Sequence, residues 1–490
     1  MKKIKRPFLI FSCLWLVFIF FFGCVTRESF VQKRMKRVEK GLIRAVYLKG
    51  LNPEKLSIYD RMQFYRVPGV SLAVMDNFAL EWAKGYGMRS IATVEAVDTK
   101  TIFQGGALSQ VLAALVTLKL VDEKLISLDE DVNHYLKSWK IPSYSVNRGR
   151  PVTVRDLLTH SAGFYEIEFQ GYQPNQPLPS LVDIILGRSP ALNPRIYPVY
   201  QPGSQRVYSE AGMVILQLLL EDVSGQEFSQ LAEEKILQPF QLKMTTLRSP
   251  LPASLADNVA RGYDRQGQPL SEGWKIFPEK AAAGMWTNPS DLILLSLKLI
   301  QIARGEEPGL ISPQLIREMF VPWHGLQAMA FLVEGEGDDL HFYLEGHNPG
   351  YSALMVVYPS RGQGVAVMAN SDNSLYLNEE IVRAVASNYD WPHFQPQEKT
   401  PYRLPGEIYQ EYVGRYEVNP NYYLDVQHQD YYLIVHPSGQ IPTRFYAETK
   451  STFFAIDPFS QIQFLRDEAG KVTGLVLRQK RIRVEAKKVS

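Results

Sequence analysis

The chain has 490 residues, more than one hydrophobic core usually holds, so two folded domains and a terminal segment are expected. Hydrophobic residues make up 46% of it and charged residues 21%, a composition that excludes a disordered protein. The formal net charge is only +2, and the basic residues form no stripe along the body, which argues against a nucleic-acid partner.

The first 24 residues have the pattern of a secretory signal. Residues 1–6 are basic, residues 8–23 are apolar, and Cys24 follows. The stretch Phe21-Phe-Gly-Cys24 resembles a bacterial lipobox, in which the cysteine receives lipid, although two phenylalanines stand at its first positions. The apolar run is also almost long enough for an uncleaved signal anchor. Both interpretations predict an exported protein, anchored to a membrane and facing the periplasm or the cell exterior.

Residues 25–55 are expected to form a basic juxtamembrane helix or linker. The helix is predicted over Gln32 to Lys49 and carries seven lysines and arginines. It is interpreted either as a segment held by anionic lipid head groups or as a solvated spacer. Both cysteines, Cys13 and Cys24, lie in the leader, so the exported body has neither a disulfide nor a thiol nucleophile.

The middle of the chain combines strands near its ends with helices between them. Residues 70–86 alternate as two strands around a turn, and the apolar run 108–120, free of Gly and Pro, predicts a helix buried on all sides. Further predicted elements are helices 211–223, 228–237, 290–303 and 377–387, and paired strands 351–358 and 364–370. This order predicts an α/β (α+β) sandwich with one antiparallel sheet and a helical lobe over residues 56–391.

A second domain is predicted after a proline-rich linker at residues 392–406. From residue 407 to residue 490 the pattern changes to short strands separated by turns such as His436-Pro-Ser-Gly439. A small all-β domain is expected there.

Three segments carry the decisive pattern of the central domain. They are Phe103-Gln-Gly-Gly-Ala107-Leu-Ser-Gln110, Gln201-Pro-Gly-Ser-Gln-Arg-Val-Tyr208-Ser-Glu210, and Glu345-Gly-His347-Asn348-Pro-Gly-Tyr351. In their order and surroundings they resemble the motifs of the serine β-lactamase and penicillin-binding protein superfamily, in particular its class C β-lactamase-like members. The resemblance implies the β-lactamase/transpeptidase-like fold and a lipocalin-like C-terminal domain.

The resemblance also implies that the catalytic positions are degenerate. The family's Ser-x-x-Lys, nucleophile and activating amine, falls on Ala107 and Gln110. A methyl group cannot attack a carbonyl, and a neutral amide cannot take a proton from a hydroxyl. Tyr208 is kept, but Glu210 replaces the family's asparagine, and His347 stands in a segment two residues shorter than usual. Tyr208, Glu210, His347 and Asn348 are therefore predicted to bind a ligand.

Other types of catalytic site have little support in the sequence. The eight histidines show no metal-binding spacing, no phosphate-binding loop is present, and no cofactor is expected. Ser109 could replace the missing nucleophile, but its side chain is expected to point away from the position of Ala107. The carboxylates of Glu166, Glu168 and Glu210 are candidates for a cluster of acidic side chains in the folded protein.

Three functions remain open. The first is a membrane-tethered pseudoenzyme of the cell envelope that binds a peptide, glycan or lipid-like ligand, or an envelope protein. The second is an active hydrolase of the β-lactamase, D-amino-acid peptidase or esterase type with rearranged residues. The third is a scaffold whose C-terminal β domain binds.

Overall fold

The computed structural model describes residues 29–307, 310–438, 442–480 and 482–490. The predicted signal sequence and the lipid-attachment residue Cys24 lie outside these residues. None of the described helices has the length and apolar character that a bilayer crossing demands. Contacts divide the chain into two compact units, one containing Tyr59–Asn378 and the other formed by Lys36–Ile58 with Glu379–Ser490.

The first unit is built on a seven-stranded antiparallel sheet. In spatial order its strands are Glu95–Ala96, Ala79–Ser90, Gly69–Asp76, Gln363–Ala369, Tyr351–Tyr358, His341–Asn348 and Leu332–Glu334. The hairpin of Tyr351–Tyr358 and Gln363–Ala369 was predicted within two residues, because uninterrupted β-branched and apolar runs on either side of a turn identify buried strands. One further ladder pairs Phe103–Gln104 with Trp286–Thr287.

Helices cover the sheet and form the lobe beside it. They are Ile58–Tyr65, Ser109–Asp122, Val132–Tyr135, Val154–Leu158, Leu181–Leu186, Glu210–Ser224, Phe228–Ala232, Gln238–Phe240, Ala253–Ala256, Lys280–Ala283, Pro289–Arg304 and Pro313–Met319, with a π-helical stretch at Glu233–Leu237. Two further helices, 29–39 and Leu375–Asn388, contain residues of both units. We call Ser109–Asp122 the central helix and Glu210–Ser224 the flanking helix. Eleven residues of the central helix are buried, which agrees with its almost wholly apolar sequence.

Local sequence signals fix several helix ends. The side chain of Asn288 accepts a 2.8 Å hydrogen bond from the backbone N–H of Asp291, with Pro289 in the first turn, as the Asn-Pro-Ser start signal predicts. The flanking helix ends at Gly225, whose φ of +70° suits a residue without a Cβ.

The predicted basic helix is shorter than expected. It ends at residue 39 instead of residue 49, and Val46–Leu48 forms a parallel two-stranded ladder with Gln397–Lys399. Gly41 interrupts the helical pattern, and pairing with a distant strand then takes over the residues that follow. The periodicity of a short stretch of sequence does not predict pairing with a strand so distant in the chain.

The second unit contains a closed antiparallel barrel of eight strands. These are Gly414–Asn419, Tyr422–Gln429, Tyr432–Pro437, Thr443–Ala447, Thr452–Ile456, Phe459–Arg466, Val472–Gln479 and Ile482–Lys488. Aromatic side chains fill the interior, among them Tyr412 from the helix Gly406–Tyr412, which stacks on Phe464 with ring centroids 4.2 Å apart. The expected small all-β domain is confirmed, while the helix that fills it was not predicted.

Candidate functional site

A glycine turn holds Ala107 at the start of the central helix. Gly106 has φ +53°, and a Cβ built on it would lie 2.4 Å from the backbone nitrogen of His347. A Cβ on Gly346 would lie 1.9 Å from the carbonyl oxygen of Gly105. Only glycines allow the turn and the strand His341–Asn348 to approach so closely. The side chain that this turn presents is the methyl group of Ala107, which is 6% exposed.

Ser109 is engaged inside the core. Its hydroxyl donates a 2.6 Å hydrogen bond to the carbonyl oxygen of Gly106 and accepts one of 2.9 Å from the backbone N–H of Met285. The residue has no exposed surface. A hydroxyl with both partners in the protein interior cannot reach a substrate, so Ser109 does not stand in for the missing nucleophile in this conformation.

Gln110 bridges two aromatic residues of the site. Its amide nitrogen donates a 2.9 Å hydrogen bond to the phenol oxygen of Tyr208, and its amide oxygen accepts one of 3.0 Å from Nε2 of His160. The rings of His160 and Tyr208 lie 4.6 Å apart. Both polar ends of the amide therefore have a partner, as a buried amide requires.

His160 is part of the site, although the sequence did not identify it. Complete burial, together with the positive charge of Arg206, lowers the pKa of His160 to about 4. The ring is therefore neutral, with Nε2 facing the amide of Gln110 and Nδ1 facing the backbone of Ser209, 3.3 Å from its carbonyl oxygen and 3.4 Å from its nitrogen. The signal that could have found it is the segment Thr159-His-Ser-Ala-Gly163, which contains it.

Glu210 is a buried acid at the start of the flanking helix. Its Oε2 accepts a 2.6 Å hydrogen bond from the backbone N–H of Phe169, and its Oε1 lies 3.5 Å from the hydroxyl of Tyr208. Burial first, and then the charges of Glu168 and Glu279, raise the pKa of Glu210 to about 8. The acid is therefore largely protonated at neutral pH. Of the carboxylates singled out in the sequence, Glu168 thus lies close enough to act on Glu210.

His347 lies on the face of the sheet opposite the central helix. His347 pairs with Ser352 in the hairpin of His341–Asn348 and Tyr351–Tyr358, so the two side chains share one face of the sheet. On that face Ser352 accepts a hydrogen bond from Asn378 in the helix Leu375–Asn388. The alternate residues of both strands join the core around the central helix. The ring of His347 thus lies on the sheet face away from Gln110, where its Nε2 is 3.4 Å from Asp372. The two-residue connection between the strands sets this register, and a shift of one residue exchanges the faces.

Asn348 supports the site from within the protein. It is buried, and its amide nitrogen donates 3.0 Å hydrogen bonds to the side-chain oxygen of Gln104 and the carbonyl oxygen of Ala283. Both of its N–H groups are therefore used within the protein. Asn348 holds together the segments beneath the Gly105–Gly106 turn.

A second buried acid, Glu279, lies in the same lobe and was not predicted. It precedes the helix Lys280–Ala283 and has no exposed surface. Within the described residues neither of its carboxyl oxygens has a hydrogen-bond partner. Burial raises the pKa of Glu279 to about 7. The described residues contain no group of three or more His, Cys, Asp or Glu side chains arranged to hold a metal ion.

Comparisons with known proteins agree on one family and one fold. A family model described as Beta-lactamase matches residues 57–387. A beta-lactamase of Pseudomonas fluorescens is 23% identical over 361 residues, which cover 66% of this chain and 93% of that protein. The unguisins hydrolase ungD of Aspergillus violaceofuscus is 26% identical over 245 residues, and the chain spans only 41% of its length. The octameric penicillin-binding protein homologue of Pyrococcus abyssi, a solved structure, has a TM-score of 0.60 at 21% identity, covering 87% of this chain and 98% of that one.

Proposed function

The chain belongs to the beta-lactamase family, and we propose that its β-lactamase-like unit is a pseudoenzyme that binds a ligand or a partner without forming an acyl-enzyme. The family's chemistry needs a hydroxyl nucleophile and a nearby amine. In this chain the corresponding residues are Ala107 and Gln110. The fold is that of a hydrolase, but the reacting groups are absent from the positions where the family carries them.

The observation that best supports the proposal is the hydrogen bonding of Gln110. Its amide is held from both sides, by His160 and by Tyr208, so the polar interior of the site is complete without a nucleophile. A lysine removed by random decay would leave these partners unsatisfied, at a cost of about 1–3 kcal/mol for each buried group. The satisfied network instead supports a site that is maintained as a non-reacting surface.

Tyr208 and Glu210 are the residues that we propose meet the ligand. Tyr208 is half-buried and offers a hydroxyl beside an aromatic face, and Glu210 offers a carboxyl group behind it. A peptide, a glycan, a lipid-like molecule or an envelope protein could supply complementary groups. We further propose that the protein is exported and held at a membrane by its leader, through lipid on Cys24 or through an uncleaved anchor.

A second candidate is an enzyme that works without the serine. The neutral acid Glu210 next to the Tyr208 hydroxyl resembles an acid–base pair, and the Pseudomonas fluorescens relative is named a beta-lactamase. In such an enzyme the ionised fraction of Glu210 would take a proton from the attacking water, and the Tyr208 hydroxyl would protonate the leaving group. The enzyme would form no covalent intermediate, so turnover assays, not labelling, detect it.

The third candidate, binding by the β barrel, has less support. The barrel interior is packed with side chains from Tyr412, Tyr416, Phe445, Phe453 and Phe464. A barrel that binds a small molecule in its lumen needs an open cavity. Deletion of residues 407–490, followed by ligand or partner capture, tests whether the outer surface of the barrel binds a partner.

The proposal is tested by covalent labelling of the full-length protein. A fluorescent penicillin and a fluorophosphonate are each incubated with it, and the Pseudomonas fluorescens relative is treated in parallel as a positive control. We expect the penicillin to label the control and neither probe to label this chain. Labelling that disappears on Ser109→Ala, or turnover of an ester substrate that disappears on Tyr208→Phe, would overturn the pseudoenzyme assignment.

A further inference from the structure

Three tyrosines from separate segments of the first unit meet at its surface, and the proposed function gives them no role. The ring centroid of Tyr197 lies 6.2 Å from that of Tyr144 and 5.9 Å from that of Tyr165. Tyr197 is 44% exposed, and the other two side chains are half-buried. We call these three residues the tyrosine cluster. Adjoining exposed rings of this kind commonly mark the place where a protein binds another molecule.

The backbone around the tyrosine cluster is tightly fixed. Gly163 has φ +85°, and a Cβ built on it would lie 2.2 Å from the carbonyl oxygen of Tyr200. Only a glycine therefore lets the segment before Tyr165 approach the segment after Tyr197 so closely. The carbonyl oxygen of Gly163 accepts hydrogen bonds of 2.8 and 3.0 Å from the backbone N–H groups of Val199 and Tyr200. These contacts hold two of the three tyrosines in place relative to each other.

Hydrogen bonds at the cluster itself reduce its freedom further. The hydroxyl of Tyr165 donates a 3.1 Å hydrogen bond to the carbonyl oxygen of Arg195. The backbone N–H of Tyr144 donates one of 2.6 Å to the side-chain oxygen of Asn147. A surface whose rings are already in place loses little conformational entropy when a ligand binds. The arrangement is therefore suited to a ligand that packs on aromatic rings.

The geometry argues against a cation as that ligand. A cage for a quaternary ammonium group needs ring faces that stand apart around a central space. Here the ring of Tyr197 lies at contact distance from both of its neighbours, so the cluster is a continuous surface and not a cage. Two exposed arginines, Arg148 and Arg195, lie close in sequence to the cluster and would repel a cation.

A sugar ring fits both the aromatic and the charged part of this surface. A pyranose presents polarised C–H groups on its face and hydroxyl groups around its edge. The C–H groups are attracted by the negative face of an aromatic ring. The hydroxyl groups need donors and acceptors, which the guanidinium groups of Arg148 and Arg195 and the exposed carboxylate of Glu166 supply. An apolar peptide would use the rings but not these charged groups.

We propose that the tyrosine cluster binds a pyranose ring of a glycan. This inference rests on the proposed function, because it names the chemical class of the ligand that the unit binds without acylation. Tyr165 is five residues from His160 of the candidate site, so their Cα atoms are at most about 18 Å apart. An oligosaccharide of a few rings is long enough to extend from the cluster toward that site.

The test is calorimetric titration of the purified full-length protein with chitotetraose and, separately, with cellotetraose. The matched probes are sorbitol, which has hydroxyl groups but no sugar ring, tetraproline, an extended peptide of a kind that packs on aromatic rings, and tetramethylammonium. The variants are Tyr197→Ala, Tyr144→Ala and Tyr197→Phe, of which the last keeps the ring. Tyr402→Ala, at a tyrosine of the second unit that is 54% exposed, is the control.

We expect at least one of the two oligosaccharides to bind saturably, and the three other probes to bind weakly or not at all. Tyr197→Ala and Tyr144→Ala should each weaken binding by about tenfold, because each removes an aromatic surface. Tyr197→Phe should stay within about threefold of the unmodified protein, and Tyr402→Ala should have no effect. If Tyr144→Ala fails to fold, Tyr197→Ala, at the more exposed position, still tests the cluster.

The inference would be overturned if neither oligosaccharide bound saturably, or if both alanine variants retained the binding. Tighter binding of tetraproline would overturn it in favour of a peptide, and tighter binding of tetramethylammonium in favour of a cation. An equal loss in Tyr197→Phe and Tyr197→Ala would contradict packing of the sugar on the ring. Labelling by penicillin or fluorophosphonate is measured separately and bears on the pseudoenzyme proposal only, so the two proposals can fail independently.

Discussion

Gln110 donates a 2.9 Å hydrogen bond to the phenol oxygen of Tyr208 from the first turn of the central helix. The same amide accepts from His160, so the tyrosine hydroxyl lies at the end of a connected polar chain. In an active member of the family a lysine and a serine would complete such a chain. Here its members stabilise one another, and restoring chemistry requires more than one substitution.

The first prediction concerns that restoration. Ala107→Ser alone should give no detectable acylation, because the new hydroxyl has no amine to take its proton, and losing either member of such a unit costs almost as much as losing both. The double variant with Gln110→Lys is expected to acylate slowly. The measurement is time-dependent labelling by fluorescent penicillin, with Gln110→Lys alone as the matched control. Rapid acylation of the single Ala107→Ser variant would contradict this reasoning.

The second prediction separates the structural role of Ser109 from a catalytic one. Ser109→Ala leaves the backbone N–H of Met285 without its partner in the core, which should lower the free energy of unfolding by about 1–3 kcal/mol. Denaturant unfolding measures the change. The labelling assay should be unaffected, and unchanged stability would show that the hydroxyl is not held as the structure has it.

The third prediction is a pH dependence of stability that originates in Glu210. The folded protein keeps the proton of this acid up to about pH 8, whereas the unfolded chain releases it near 4.5. Between these values the folded state binds more protons, so the free energy of unfolding falls as the pH rises. The measurement is best made above about pH 7.5, one unit above the ordinary pKa of histidine, where His160 is largely neutral in both states.

Glu210→Gln should flatten this decline, because glutamine does not ionise. Exposed Glu166→Gln serves as the control and should leave the slope as it is in the unmodified protein. Melting temperature recorded against pH checks both variants. A slope that Glu210→Gln leaves intact would mean that other groups cause it.

The fourth prediction tests the contact between the glycine turn and its neighbouring strand. Gly346→Ala would bring a Cβ to within 1.9 Å of the carbonyl oxygen of Gly105, so the turn that carries Ala107 must move. A destabilisation of about 1–3 kcal/mol is expected from such overpacking. Gly149→Ala, at an open position, is the control and should be neutral. Denaturant unfolding of both variants measures the difference.

The fifth prediction concerns the leader. If lipid is attached at Cys24, metabolic labelling with palmitate should be lost in Cys24→Ala and retained in Cys13→Ala. Equal labelling of both variants would refute attachment at Cys24. Recovery of an intact N-terminal peptide from membranes would favour the uncleaved anchor instead.

The sequence predicted the elements whose signals are local. Apolar runs, turns and caps within a few residues predict the central helix, the hairpin of Tyr351–Tyr358 and Gln363–Ala369, and the helix that begins after Asn288. The family motifs likewise led to Tyr208 and Glu210, whose side chains the structure brings within 3.5 Å of each other. These features depend on short stretches of chain.

Features set by distant contacts were missed. The sheet face on which His347 lies depends on the hairpin register, and His160 acquires its role from Gln110 some fifty positions earlier. The segment that carries Glu279 is held in place by Gln217 of the flanking helix. A single sequence contains no record of such pairings. The sequence shows which catalytic positions of the family are replaced. It does not show the hydrogen bonds that join Gln110 to His160 and Tyr208.

The closing seam of the barrel makes the C-terminal end of the chain a sensitive place to engineer. The first strand pairs with the last at Tyr416–Lys488 and Glu417–Lys487, and the backbone of Arg415 bonds to that of Val489 and Ser490. Trimming these residues would leave two unprotected strand edges able to recruit other molecules. A purification tag fused after Ser490 therefore needs a flexible spacer, and aggregation of truncated versions would reflect an opened seam instead of a lost binding partner.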